Sequence, residues 1–288
     1  FFSFGREGYL KLNIPVNDLN ANILENEQFI SFKERWMERL SNWSAESAEL
    51  LKQVKIGDKP KAIIQTISEA LLTLFKPNPL LDGYEIYQIL MQYWDDNMQD
   101  DIYQIVVEGW KADKEMIPAE LIINKYFQND QYAIDELEEQ KEAVGRQMEE
   151  LEEDQTDEND LFDNARNDKG KLTKASINDR IKQIKHDKDA EDELKALKVY
   201  LILLEEEAET KAKLKQAIKA LDDKVRRKYS SLTDAEIKTL LVEDKWLARI
   251  TEDVFTTIDS VSHRLSSRIK ELAERYAQPL PQIENEVN

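Results

Sequence analysis

The sequence predicts an all-α protein, a helical bundle followed by long antiparallel coiled-coil helices. Three observations predict it. Only seven glycines and seven prolines punctuate 288 residues, and the intervals between them are rich in Glu, Lys, Leu and Ala, the composition of extended helices. Within those intervals apolar residues recur every three or four positions rather than every two, which is helical spacing. With 41% hydrophobic residues the chain can bury a core of ordinary size. One exception stands at the start, where Leu10, Leu12 and Ile14 alternate with polar residues before Pro15 and predict a short strand.

The elements follow in order. Residues 25–54 place Phe29, Phe32, Trp36, Leu40, Trp43, Leu50 and Val54 at helical spacing, so one heavily aromatic face needs cover. In GDKPKAIIQTISEALLTLF, Asp58 is the expected N-cap, Pro60 suits the first turn, and Ile64, Ile67, Leu71 and Phe75 form the inner stripe. KPNP ends that helix. Asp82 with Glu85 spells a capping box for the next one. Its expected core face is Tyr84, Tyr87, Met91, Trp94, Met98, Ile102 and Ile105. From Pro118, a narrow stripe of Ile122, Tyr126, Ala133, Leu137, Val144, Met148 and Leu151 predicts one coiled-coil strand. A polar break, DQTDENDLFDNARNDKGK, precedes a short helix with Ile177, Ile181 and Ile184. Residues 189–229 then repeat Leu194, Leu197, Leu201, Leu204, Ala208, Leu214, Ile218, Leu221 and Val225, a helix of about 60 Å. Residues 119–229 thus predict an antiparallel arm with 160–188 near its tip. Thr233 with Glu236 opens a short helix, EDKW reads as a turn, and a last helix runs through Leu247, Ile250, Val254, Ile258, Val261, Leu265, Ile269, Leu272 and Tyr276 until Pro279 and Pro281. The expected division is an N-terminal helical subdomain, 1–117, and a coiled-coil domain, 118–288.

Charge and composition exclude several functions. Forty Lys and Arg against 59 Asp and Glu give a formal net charge of -19, so nucleic acid and anionic membrane are repelled at long range. No cysteine is present, which removes disulfides, thiolate nucleophiles and Cys-based zinc sites, and fits the cytoplasm. No apolar run reaches the length of a membrane span, and FFSFGREGYLKL has neither an initiator Met nor a signal-peptide pattern. The chain therefore reads as a fragment of a longer one.

The densest chemistry lies in YQILMQYWDDNMQDDIY, with Asp95, Asp96, Asp100 and Asp101. On a regular helix these acids spread most of the way round, so no three converge on a metal or share a proton. Only an unwound or bent backbone near Asn97 reopens a carboxylate site. His186 and His263 have no Ser or acid at catalytic spacing, and the glycines form no phosphate cradle. No catalytic, cofactor-binding or metal-binding residue is assigned. Lys169, Lys171, Lys174 and Arg180 are candidate contacts to a DNA backbone, with neutralisation of nearby acids as the alternative. Val254, Ile258, Val261 and Leu265 are the candidate face for docking a partner, with a third strand of an internal bundle as the alternative.

Five blocks, LLDGYEIYQILMQYWDDNMQDDIYQI, IPAELIINKYF, NDKGKLTKASINDRIKQIK, LTDAEIKTLLVEDKWLARI and ERYAQPLPQIENEV, together resemble the C-terminal region of the modification (M) subunit of bacterial type I restriction-modification systems. They cover the chain from about residue 56 to its end, and residues 1–55 match less clearly. The resemblance implies a parent chain that transfers a methyl group from S-adenosylmethionine to the N6 of adenine. It also implies three partners, a specificity subunit that reads DNA, a second M subunit and a restriction subunit, in the bacterial cytoplasm. The family's catalytic tetrad, Asn-Pro-Pro-aromatic, is not spelled here. Its nearest counterpart, Asn78, Pro79, Leu80, Leu81, lacks the second proline and the aromatic that would stack on a flipped base. Family members also carry a longer polar insert where GWKADKEMIP stands. The expectation is an assembly module that is not itself an enzyme and holds no cofactor, reaching DNA through the complex. Two other readings compete: a coiled-coil scaffold unrelated to DNA, and a carboxylate-dependent metal enzyme.

Overall fold

The computed structural model describes residues 2–4, 10–76, 78, 80–154, 161–187 and 189–275. The fold is all-α, with a two-stranded antiparallel hairpin at the start that pairs Phe2–Phe4 with Leu10–Leu12. The chain divides into two units, one of residues 1–117 with 232–288 and one of residues 118–231. One division between the units falls after Ile117. The last helices instead belong with the N-terminal unit, which corrects the expected 118–288 domain.

In the first unit, α1 (Leu19–Leu24) leads into α2 (Glu27–Lys52). The side chain of Asn26 caps α2 by accepting from the N–H groups of Gln28 and Phe29. Phe29, Trp36, Leu40, Trp43 and Leu51 are buried along one face. The Trp43 indole donates to the Ile67 carbonyl at 3.1 Å, and Trp36 stacks on Phe75 with ring centroids 4.9 Å apart. Both contacts fasten α2 to α3 (Pro60–Phe75), whose stripe of Ile64, Ile67, Leu71 and Phe75 is buried as expected. Asp58 does not cap α3. Lys59 holds the N-cap position, and the Asp58 carboxylate accepts from the Lys55 N–H in the preceding turn.

Asp82 caps α4 (Gly83–Tyr93) by accepting from Tyr84 N–H, and Gly83 is there because a Cβ would stand 3.2 Å from the Lys76 nitrogen. Glu85 reaches Arg264 at 2.9 Å instead of completing a capping box. After α4 the backbone widens into a π-helical turn, Trp94–Met98, before α5 (Gln99–Glu108). This moves the expected core face. Tyr84 is 66% exposed, and the buried set is Ile86, Leu90, Trp94, Met98, Ile102 and Ile105. Steps of four drift about 40° per step round a regular α-helix, and one wide turn absorbs that drift. Gly109, at φ 80°, ends α5.

After Leu232, Thr233 and Glu236 form the expected capping box at α10 (Asp234–Lys238). A second π-helical segment, Thr239–Leu247, runs on into α11 (Ala248–Arg275). EDKW is therefore helical, not a turn. Leu240, Leu241, Val242, Trp246 and Leu247 are all buried, more of the circumference than a single α-helical stripe covers. Packing of α11 against α1, α2 and α4 leaves Val254, Ile258 and Val261 at most 1% exposed. The face expected to dock a partner is thus filled by the chain's own helices, and only Leu265, further along, is half-buried. Tyr276, Pro279 and Pro281 lie outside the described residues.

In the second unit the strand expected to run unbroken from Pro118 is two helices, α6 (Ala119–Tyr126) and α7 (Gln128–Asp154), separated at Phe127 (φ -133°). The break shifts the phase. Ala133 is exposed and Ile134 takes its place, in a seam of Ile134, Leu137, Lys141, Val144, Met148 and Leu151 whose steps of three and four are those of a heptad repeat. The partner is α9 (Glu191–Ser231), 41 residues long. Its antiparallel sense follows from the clamps at the two ends. Asp130 holds Lys224 through both carboxylate oxygens (2.6 and 2.8 Å), and Tyr200 donates to Glu152 at 2.6 Å. Where the pair turns back, α8 (Lys174–Ile184) packs on α9, and Phe162, Ala165, Ile177, Ile184, Leu197 and Tyr200 close a core.

Candidate functional site

The acidic stretch sits at the first π-helical turn, so the condition that would reopen a carboxylate site is met and the four aspartates need separate placement. Asp95, Asp96 and Asp100 are exposed, and Asp96 accepts from the Gln92 amide at 2.9 Å. Asp101 is 8% exposed. Its Oδ2 accepts from Lys245 Nζ at 2.6 Å and from the Trp246 indole at 2.8 Å. Lys245 Nζ also donates to the Met116 carbonyl at 2.6 Å, and the Tyr93 hydroxyl donates to the Lys245 carbonyl at 3.3 Å. Trp110 lies against Trp246 with centroids 6.3 Å apart and donates to the Val54 carbonyl at 2.8 Å.

The two π-helical segments therefore meet on one buried ion pair. A wide turn at Trp94–Met98 lets Asp101 face inward together with Met98 and Ile102, and the wide turns of Thr239–Leu247 bring Lys245 and Trp246 to it. Burial, with the nearby Asp101 charge adding to it, holds the Tyr93 phenol far above its usual titration range, so it stays a neutral donor. Asp101 Oδ2, the Lys245 ammonium, the Trp246 indole and the Tyr93 hydroxyl are all engaged within this knot. Its chemistry is that of a fastening that ties α5, the 109–117 segment and the second π-helical segment together.

Beside the knot lies an open cleft of about 820 Å³ between α4 and α11, lined by Glu85, Gln92, Asp96, Asn97, Arg249 and Asp253 among others. Glu85 is paired with Arg264 at 2.9 Å and Asp253 with Arg249 at 3.1 Å, and the exposed Asp96 and Asn97 beside them offer acceptors to a basic or amide-bearing partner. Among the described residues no group of His, Asp and Glu is placed to hold a metal ion, and no helix is long and apolar enough to cross a membrane. Comparison with protein-family models, with curated proteins and with solved structures finds no match.

The remaining sequence candidates divide. His186 and His263 are exposed. Asn78 accepts from Leu80 and Leu81 N–H in an ordinary loop, while Pro79 lies outside the described residues. Of the four candidate DNA contacts, Arg180 is engaged by both oxygens of Glu193 at 2.6 and 3.0 Å, and Lys174 pairs with Glu205 at 2.7 Å. Internal charge balance takes up both. Lys169 and Lys171 are exposed on a tight turn in which the Asn167 side chain accepts from both of their N–H groups at 3.0 Å. Helical periodicity did not single out Lys245 and Trp246. The signal for them was the apolar density of LLVEDKWLARI, too great for one face.

Proposed function

We propose that this chain is the C-terminal helical assembly module of the modification subunit of a type I restriction-modification system, a DNA adenine-N6 methyltransferase of the bacterial cytoplasm. In this reading it docks the specificity subunit and a second M subunit around DNA, with the restriction subunit joining the same complex. S-adenosylmethionine binds elsewhere on the parent chain, and DNA is reached through the complex, as a net charge of -19 favours.

The observation that carries this reading is the acidic and amide-lined cleft between α4 and α11. It draws Asp96 and Asn97 from the block with the most specific wording, YWDDNMQDD, and sets them beside Glu85 and Asp253. The π-helical turn that positions them is a local departure from regular backbone of the kind found at functional sites. Asp101, by contrast, is spent on the fold.

The test uses the complete modification subunit carrying Glu85→Lys and Asp253→Lys. Both side chains are at least part-exposed, so the fold is expected to survive. Expected are a weakened complex with the specificity subunit, lost methylation, and unchanged binding of S-adenosylmethionine. A complex of wild-type affinity contradicts the proposal.

A further inference from the structure

The N-terminal part of α9 reads LKVYLILL and is apolar almost all the way round. Leu197, Tyr200 and Leu204 fill the inner side. On the opposite side one stripe carries Lys195, Val199, Ile202 and Glu206, whose steps of four, three and four keep them within about 60° of one another. All four are exposed, Val199 by 49% and Ile202 by 62%. Two adjacent branched apolar side chains on the outer face of a helix already packed on its other side mark a surface made for cover.

The charge order of the stripe says what covers it. It runs cation, apolar, apolar, anion, which is self-complementary when reversed. A twofold axis between residues 200 and 201 sets Val199 against Ile202 of a second copy and Lys195 against Glu206 of that copy, and each pair then occurs twice. A parallel arrangement would put Lys195 on Lys195 and Glu206 on Glu206. One layer further out, Asp192 meets Glu209, a like pair, but each acid has a lysine of its own chain beside it, Lys195 at 3.3 Å and Lys213 at 2.8 Å.

From this we infer that the outer face of α9 docks a second copy of the same chain, antiparallel, about an axis that passes between Val199 and Ile202. The contact is isologous and small, so the dimer is of the weak, concentration-dependent class. It goes beyond the function proposed above by naming a surface for a second copy, and because its test reads self-association of this chain alone, its failure leaves that reading standing.

The test is sedimentation equilibrium of the 288-residue chain across a wide concentration range, with circular dichroism of each variant as the control for folding. A monomer–dimer equilibrium is expected, and Ile202→Asp abolishes it. Lys195→Glu and Glu206→Lys each replace two attractive pairs by two repulsive ones and weaken the dimer about tenfold. Combining them restores it. The proposal is overturned by a chain that stays monomeric to about 1 mM, by a dimer that survives Ile202→Asp, or by a charge swap that the double variant does not rescue.

Discussion

Replacing Lys245 by Met keeps most of its volume and removes its charge, leaving the Asp101 carboxylate buried beside a single remaining donor, the Trp246 indole. The Met116 carbonyl loses its ammonium partner in the same step. The two side chains of the pair are 10% and 17% exposed, so water does little to rescue either group. Breaking one side of a buried pair costs about 3–5 kcal/mol, and the expected loss on Lys245→Met lies in that range. Adding Asp101→Leu removes the stranded charge but leaves the indole N–H and the Met116 carbonyl unpaired, at about 1–3 kcal/mol each. The double variant should therefore be less destabilised than the sum of the two single variants, by at least about 2 kcal/mol. All five tryptophans, at 36, 43, 94, 110 and 246, lie in the unit that holds the pair, so urea unfolding followed by tryptophan fluorescence reads that unit. At about 2–4 °C per kcal/mol for a unit of this size, the single variant melts about 6–20 °C lower. Refutation would be a single variant within about 1 kcal/mol of the wild type, or simple additivity in the cycle.

Ile258→Asp puts a carboxylate among side chains that exclude water, and the same fluorescence should show unfolding or a loss of more than about 3 kcal/mol; a variant of wild-type stability would mean that this face is open after all. Phe162→Ala, in the core at the turn-back of the α7–α9 pair, should cost about 3–5 kcal/mol, read by circular dichroism since the second unit has no tryptophan. Burial and the Glu152 carboxylate raise the Tyr200 phenol above its usual range. Its contribution is complete below the unfolded phenol's pKa of about 10 and is lost as pH rises beyond that, because the folded state resists ionisation. Urea midpoints followed by circular dichroism should fall above pH 10 in the wild type and fall less steeply in Tyr200→Phe. Equal slopes would show that Tyr200 is not the group responsible.

Legibility in the sequence varied with the regularity of the backbone. The α3 stripe of Ile64, Ile67, Leu71 and Phe75 was read correctly because nothing interrupts a plain 3.6-residue repeat. The α7 seam was misread by one position at Ala133, because a break at Phe127 resets the phase and periodicity alone does not locate such a break. Tyr84 was placed inward and is exposed for a related reason. The π-helical turn at Trp94–Met98 allows a run of four-residue steps that a regular helical wheel does not. The amphipathic face of α11 was legible at Val254, Ile258 and Val261, but an apolar stripe does not declare what covers it, and here α1, α2 and α4 do. Three of the four aspartates were correctly placed in solvent. Asp101 was not, because its partners Lys245 and Trp246 stand more than 140 residues away.

The central claim, that this helical region is what joins a modification subunit to its complex, is tested most directly by co-expressing the 288-residue chain with the specificity subunit of the same system and following both by size-exclusion chromatography. Co-elution as one complex is the predicted result, weakened by Glu85→Lys with Asp253→Lys. Separate elution, under conditions in which the complete modification subunit does bind the specificity subunit, would contradict the claim.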